Sequence, residues 1–296
     1  MEIVLALVAA LLFALGTVLL QRAGLEEGTE GSSSGLLVRM ARRPVWLAGI
    51  AADGLGFVAQ AAALTIGRLA VVQPLLVSAV VFALPLGAKL TGQRIRKVDA
   101  GAAALVTISL ILFLTIANPS GGRDDAPLGE WLIVGGVIGA LCVPLVVLAR
   151  GMPAARRAAL LGTAAGLLFA LTAALTKAVT DRLGEGILEA LLDWRLFALI
   201  AIGYISMTLN QLALSTGALA PAAATSMALD PIASVVLGVT LLQESIHETT
   251  IGAVATMLAL VGALAGMTVL ATGESGRPPP KPGPPAPRGD PSTGAG

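Results

Sequence analysis

The chain has 296 residues, 56% of them hydrophobic and 12% charged, with a net charge of +1 and a mean hydropathy of +0.87. Soluble domains carry about 25% charged residues, and several apolar runs here reach the roughly 18 residues that cross a bilayer, so a soluble globular protein is excluded. The near-zero net charge offers no electrostatic footprint for nucleic acid. A single cysteine, Cys142, excludes an intrachain disulfide or a thiolate zinc cluster.

Hydrophobic runs and turn signals predict nine transmembrane helices in an all-α, polytopic membrane protein. The first is Ile3–Leu20; Met1-Glu2 lacks the basic segment that opens a signal peptide, so this run reads as a permanent span. A polar loop rich in Gly, Ser and Glu leads to Val45–Ile66 and Leu69–Leu90. Ala100–Ala117 follows a basic connector, and NPSGGRDDAP forms a turn before Trp131–Leu148. After a second basic connector come Ala158–Val179, Leu196–Leu214, Leu219–Leu242 and Thr250–Ala271. The transmembrane domain then covers residues 1–272, and the proline-crowded tail, residues 273–296, has the composition of a disordered segment.

The 19 Lys and Arg are unevenly shared between the two sides. Only Arg68, Arg123, Lys177, Arg182 and Arg195 fall on the side reached after even-numbered spans; the other fourteen fall opposite. The positive-inside rule makes the richer side cytoplasmic, with the N-terminus outside, the C-terminus inside and the cell (inner) membrane as the location.

The chain also resembles itself. AALLFALGTVLLQRA (Ala9–Ala23) is similar to AGLLFALTAALTKAV (Ala165–Val179), with Phe13 opposite Phe169. AQAAALTIGRLA (Ala59–Ala70) is similar to NQLALSTGALA (Asn210–Ala220), with Gly67 opposite Gly217 and Gln60 opposite Asn210. Four spans (about residues 1–117) recur as four spans (about 158–271). The odd helix between them (about 131–148) returns the second set from the opposite face. That is an inverted-topology repeat, an architecture that places substrate near the midplane between the halves.

This pattern resembles the drug/metabolite transporter (EamA-like) superfamily, and its proline-containing span ending in an apolar-Gly-Glu segment is similar to Pro231 through Gln243-Glu244. QPLLVSAVVFALPLGAKLTGQR (Gln73–Arg94) and GTVLLQRAGL (Gly16–Leu25) more closely resemble the NIPA-like magnesium transporter branch, with Arg94 standing where that branch has a glutamate. The resemblance implies a secondary transporter; the expected one moves a small cationic solute by alternating access, with Asp230 and Asp53 as midplane cation or proton sites, and magnesium or another divalent cation and a lipid-linked metabolite are the alternative substrate classes.

Function must rest on the polar groups inside the spans. A carboxylate at bilayer depth costs from roughly 2.5 to over 10 kcal/mol, so Asp230 in the eighth span and Asp53 in the second are the leading candidates. Pro231 removes a backbone donor and leaves the Met227 carbonyl without its helical partner. Ser226 and Ser234 share the Asp230 face, and Gln60 shares that of Asp53. In the seventh span Tyr204, Thr208, Gln211 and Ser215 form one polar stripe flanked by Asn210. The expected substrate-binding set is Asp230, Asp53, Gln60, Asn210, Gln211, Tyr204, Ser226 and Met227, with Pro231, Pro74 and Pro85 as gating positions. Asp230 and Asp53 are also the ligands available if the substrate is magnesium. A packing role stands beside each reading: a protonated Asp230 in a kinked helix, amides that join two helices, and hydroxyls bonded to their own backbone. The stripe Thr172, Thr176, Thr180 reads first as packing, and Lys89 and Lys177, near span ends, as snorkelling side chains.

No nucleophile-and-base arrangement, phosphate-binding loop or cofactor motif is present, so the chain is not expected to be an enzyme or to need a cofactor. His247 and Cys142 need no special role. The expected partners are the bilayer and a small-molecule or cation substrate, without nucleic acid. A homodimer and a non-transporting membrane scaffold both stay open.

Overall fold

The computed structural model describes residues 1–27, 43–92, 95–117, 120–216, 218–245 and 250–275. Arg39, Arg42, Gln93, Arg94, Gly217, His247 and the tail beyond Ser275 lie outside them.

The chain is nearly all helical: α1 (Glu2–Glu27), α2 (Pro44–Ile66), α3 (Leu69–Leu76), α4 (Ser78–Thr91), α5 (Lys97–Ala117), α6 (Leu128–Ala149), α7 (Ala154–Glu185), α8 (Ile187–Leu192), α9 (Trp194–Leu214), α10 (Leu219–Thr240) and α11 (Thr250–Ser275). Two short strands, β1 (Ser120–Gly121) and β2 (Glu244–Ser245), pair antiparallel. Among the described residues, seven helical stretches are long and apolar enough to cross a membrane, and α3 and α4 together make one of them. These coincide with the first seven expected spans. The remaining two coincide with α10 and α11, whose apolar stretches Ala224–Thr240 and Met257–Gly266 are shorter. The chain is therefore a helical, membrane-spanning protein.

Three local differences from expectation have physical causes. The third span is two helices. Pro74 lacks an N–H, and past it the ladder tightens to i→i−3 bonds, Val77 N to Pro74 O and Val80 N to Val77 O, both 3.2 Å. Pro85, Pro144 and Pro231 sit inside continuous helices, which absorb the single lost bond. The sixth span extends to 32 residues as α7, roughly 48 Å at 1.5 Å per residue, so its end projects past a hydrocarbon core about 30 Å thick.

α7 is the hub. It touches α2, α3, α6, α8, α9 and α10, and its contact faces are mostly alanine and glycine, which let backbones approach closely. A Cβ on Gly166 would lie 2.6 Å from the Ser226 carbonyl oxygen and 2.8 Å from Leu229 Cβ. Gly266 is as tightly set against α5, with the Ala102 carbonyl oxygen at 2.8 Å. Gly135 and Gly139 meet nothing within 4 Å, so these two glycines play no packing role among the described residues.

One end of the bundle gathers the N-termini of α1, α3, α6 and α9 with the C-terminal ends of α2, α5, α7 and α10. Helix ends leave amides and carbonyls unpaired, and here charged side chains take them up. Lys177 Nζ donates to Leu64 O (3.2 Å) and Gly67 O (2.7 Å) at the end of α2, and pairs with Asp124 Oδ1 at 2.8 Å. Glu244 accepts from Leu69 N (2.7 Å) and Ala70 N (2.9 Å) at the start of α3. Each charge opposes the helix dipole it meets. The snorkelling expected for Lys177 is not what the structure has: the side chain is buried, because the turn between α2 and α3 offers it two carbonyls closer than water. Gly122 (φ +94°) carries β1 past Glu244, whose Cγ would lie 2.8 Å from any Cβ there. Around this centre Arg68 pairs with Glu2, Arg123 with Glu130, and Arg195 with Asp125 and Asp193. The ring of Trp194 lies under Arg195 and edge-on to Trp131, aromatic residues of the kind that mark a membrane interface. With Arg182 paired to Asp125, Glu185 and Asp193, all five basic residues assigned to the outer side are ion-paired at this end.

Gly166→Val should lower stability by about 1–3 kcal/mol through overpacking, while Gly139→Val leaves it unchanged, measured by unfolding of the purified protein in detergent. Lys177→Met strips two carbonyls and Asp124 of their cation and should cost about 2–4 kcal/mol; Lys89→Met, on an exposed side chain, is the control. Burial holds the Glu244 carboxyl above its ordinary value of 4.5, against the pull of the two amides, Lys177 and Arg68. The folded protein therefore keeps this proton where the unfolded chain has lost it. That contribution is complete below the ordinary value and is lost as pH rises through the raised one. The stability difference between the native protein and Glu244→Gln should change across this window; parallel pH profiles would count against the assignment.

Candidate functional site

Between the helices lies a cavity of about 800 Å³, within the range of small-molecule sites. Its walls come from α1, α2, α3, α7, α9 and α10. Asp53 and Asp230, which sit on separate helices and far apart in sequence, both line it, as does Gln60.

Each carboxylate has a local reason for its place. Asp53 on α2 lies directly against the backbone of α1 at Gly16, where a Cβ would overlap its carboxyl group. Among the described residues no group hydrogen-bonds Asp53. Asp230 on α10 accepts one bond from Ser234 Oγ at 3.3 Å, within a helix held against α7 through Gly166. Two carboxyl groups face one cavity, and no Lys or Arg is among the described residues that line it.

The rest of the wall divides by chemistry. Thr17, Thr172, Thr176 and Ser206 supply hydroxyls, and Gln73 supplies a second amide. Thr172 and Thr176 donate to Leu168 O and Thr172 O, both at 2.8 Å, which leaves their oxygens able to accept. Phe13, Phe57 and Phe169 present three aromatic rings, with Leu76, Leu199, Ile200 and Met207 beside them.

The other expected residues are placed elsewhere. On α9 the cavity face is Leu199, Ile200, Gly203, Ser206 and Met207, a helical stripe. The polar stripe runs along a different face: Tyr204 is 74% exposed, and Thr208, Gln211 and Ser215 are exposed with it. Thr208 and Ser215 satisfy themselves on Tyr204 O (2.7 Å) and Leu212 O (2.9 Å). Asn210 is half-buried, Met227 is exposed and Ser226 is buried, and none of the three lines the cavity. Pro74 and Pro231 are buried while Pro85 is exposed.

Sequence reasoning passed over Phe13, Phe57, Phe169, Met207 and Gln73 as site residues. A signal was available for four of them. Phe13 stands opposite Phe169 in the internal alignment, and Phe57 opposite Met207 at the spacing that pairs Gln60 with Asn210. Gln73 carries no such mark.

No family model matches the chain, and no solved structure matches it. An uncharacterized protein of Corynebacterium glutamicum is 30% identical to it over 246 residues, covering 82% of this chain and 85% of the relative. Identity at that level over most of both chains makes the two members of one family, and this chain belongs to the same family as the Corynebacterium protein.

Proposed function

We propose that the protein is a secondary transporter of the drug/metabolite transporter superfamily that moves a small organic cation by alternating access. The observation that carries this reading is the convergence of Asp53 and Asp230 on one cavity faced with three phenylalanines. Carboxylates supply the charge for a cation, and aromatic faces attract alkylammonium groups. A hydrated magnesium ion gains nothing from such rings; it prefers carboxylates, waters and oxygen ligands throughout. Among the described residues no group of three or more acidic, His or Cys side chains is placed to hold a metal ion.

In this reading the chain has nine spans arranged as two inverted halves, α1–α5 and α7–α11, joined by α6. The packing is consistent with that relation. α1 contacts α2, α3 and α4; α7 contacts α9 and α10. α5 meets α11 and α3 meets α10 across the middle. Cavity positions also correspond under the internal alignment: Phe13 with Phe169, Thr17 with Ala173, Asp53 with Gly203, Phe57 with Met207. With the orientation expected from the basic residues, the Lys177–Glu244 cluster closes the outer face, and the cavity would load from the cytoplasmic side. A lipid-phosphate substrate is less well served, because no cation lines the cavity, and a scaffold would have no use for a space of this size.

The test is uptake into proteoliposomes, after a stability-shift screen of small organic cations. Asp53→Asn and Asp230→Asn should each lower uptake by about tenfold or more with the protein still folded, as the loss of a charged partner at about 1.4 kcal/mol per tenfold implies. Tyr204→Phe, on the outward face, should transport normally. Unchanged uptake in both Asp variants sinks the proposal, and uptake of magnesium without any organic cation would replace it with the divalent-cation reading.

A further inference from the structure

The cavity is walled on most sides and open on one. α3 packs on α10 and α5 on α11, which closes the far edge. α7 forms the back; it packs also on α6, and none of its residues from 158 to 180 is exposed. α2 and α9 both pack on α7, yet make no extended contact with each other. Lys177 of α7 binds the carbonyls of Leu64 and Gly67 at the end of α2, so the meeting of α2 with α7 is fastened at the latched end of the bundle.

The rim of the gap between α2 and α9 is both cavity wall and outer surface. On α9, Phe197, Ile200, Tyr204 and Met207 follow at spacings of three, four and three and so share one helix face. All four are exposed, Ile200 by 61% and Met207 by 51%. Ile200 and Met207 also line the cavity, while Phe197 and Tyr204 do not. On α2, Phe57 lines the cavity and is 45% exposed; Val58 beside it is exposed without lining it. A Cβ on Gly54, one turn earlier, would meet nothing within 4 Å. Phe57 and Met207 lie near the middle of their helices, at the depth of the hydrocarbon core. The face that meets acyl chains therefore runs into the cavity without a break. Its rim residues are apolar, so the gap accepts hydrocarbon more readily than water.

Building on the transporter reading above, we propose that the gap between α2 and α9 is a lateral portal and that the substrate is a single-chain amphiphile drawn from the bilayer. Its ammonium head lies in the cavity beside Asp53. Its alkyl chain leaves between Phe57 on one side and Ile200 and Met207 on the other. A wholly water-soluble cation needs no such exit, whereas an alkyl chain there only takes the place of a lipid tail that is equally apolar. With the outer end latched, the inner leaflet is the source.

The experiment uses the full-length protein in phosphatidylcholine nanodiscs and hexadecyltrimethylammonium carrying a diazirine at its chain end. After irradiation the labelled residues are mapped by mass spectrometry. A probe dissolved in lipid labels every lipid-facing helix, so α6, exposed along Leu132, Val137 and Leu141, sets the background. The rim and outer faces of α2 and α9 should be labelled several-fold above α6. Butyltrimethylammonium occupies the head site with only a short chain, and its own binding is measured by calorimetry. Added at about ten times its dissociation constant, it should remove about nine-tenths of the excess by mass action and leave α6 unchanged. Asp53→Asn, still folded, should lose the excess as well.

The failures are separable. Label confined to interior wall residues such as Leu76 and Ala173 means that the chain is enclosed, and equal labelling of α2, α6 and α9 means that it never enters. An excess that butyltrimethylammonium does not remove reports a lipid groove outside the cavity. Each of these overturns the portal, and the transporter reading stands as long as butyltrimethylammonium binds. If neither ion binds the folded native protein, the organic-cation reading falls and the portal falls with it.

Discussion

The structure depends on how it finishes the turn between α2 and α3. That turn must end one helix and begin another within a few residues, at the edge of a medium that offers backbone groups few partners. The carbonyls of Leu64 and Gly67 point out of one end, and the amides of Leu69 and Ala70 out of the other. Both sets are satisfied from a distance of more than a hundred residues, by Lys177 on α7 and Glu244 beyond α10. A cation at a helix C-terminus and an anion at an N-terminus each gain from the dipole as well as from the bonds. Two long-range tertiary contacts are thereby fixed by local backbone chemistry.

The site inherits its geometry from those contacts. α3 is only eight residues long and carries two cavity residues, Gln73 and Leu76. A helix that short does not hold its own direction in isolation; Glu244 at its start supplies the direction. α2 brings Asp53 against the bare backbone of α1 at Gly16, and α10 brings Asp230 against α7 through Gly166. Small residues set how near the carboxylates come to their neighbours, and the charged latch sets which way the intervening helix faces.

How much of this can be read from the chain follows the cost of each error. Asp53 and Asp230 stand out because a carboxylate in an apolar run is expensive anywhere except at a polar cavity. The stripe Tyr204, Thr208, Gln211, Ser215 looks equally purposeful, but its hydroxyls can bond to their own helix, so polarity does not decide how α9 is rotated. What decides it is packing: Leu209 and Ala213 are buried, and Gly203 and Ser206 follow them to the inside. The three phenylalanines are invisible for the opposite reason, since an aromatic residue in a membrane span is at home on any face. Lys177 and Glu244 near span ends resemble ordinary snorkelling side chains until their partners, distant in sequence, are known. The short pairing of β1 with β2 is likewise hidden, because two residues on each side carry no periodicity.

The internal alignment turns the latch into an argument about direction. In the proposed inverted arrangement the position of Lys177 corresponds to Gln21, and that of Glu244 to Arg94. A neutral amide replaces the cation and a cation replaces the anion, so the first half does not carry the same pair of charges to the opposite membrane face. Two such halves, if related in shape but not in these charges, would have no reason to weight the two faces equally. In that reading, closure of the face that holds Lys177 and Glu244 would draw on four side-chain bonds to backbone, where the first half offers an amide and a guanidinium instead. A ligand shifts such an equilibrium only by its differential affinity for the two states. In the transporter reading, an organic cation would supply that affinity through Asp53 and Asp230, both of which line the cavity.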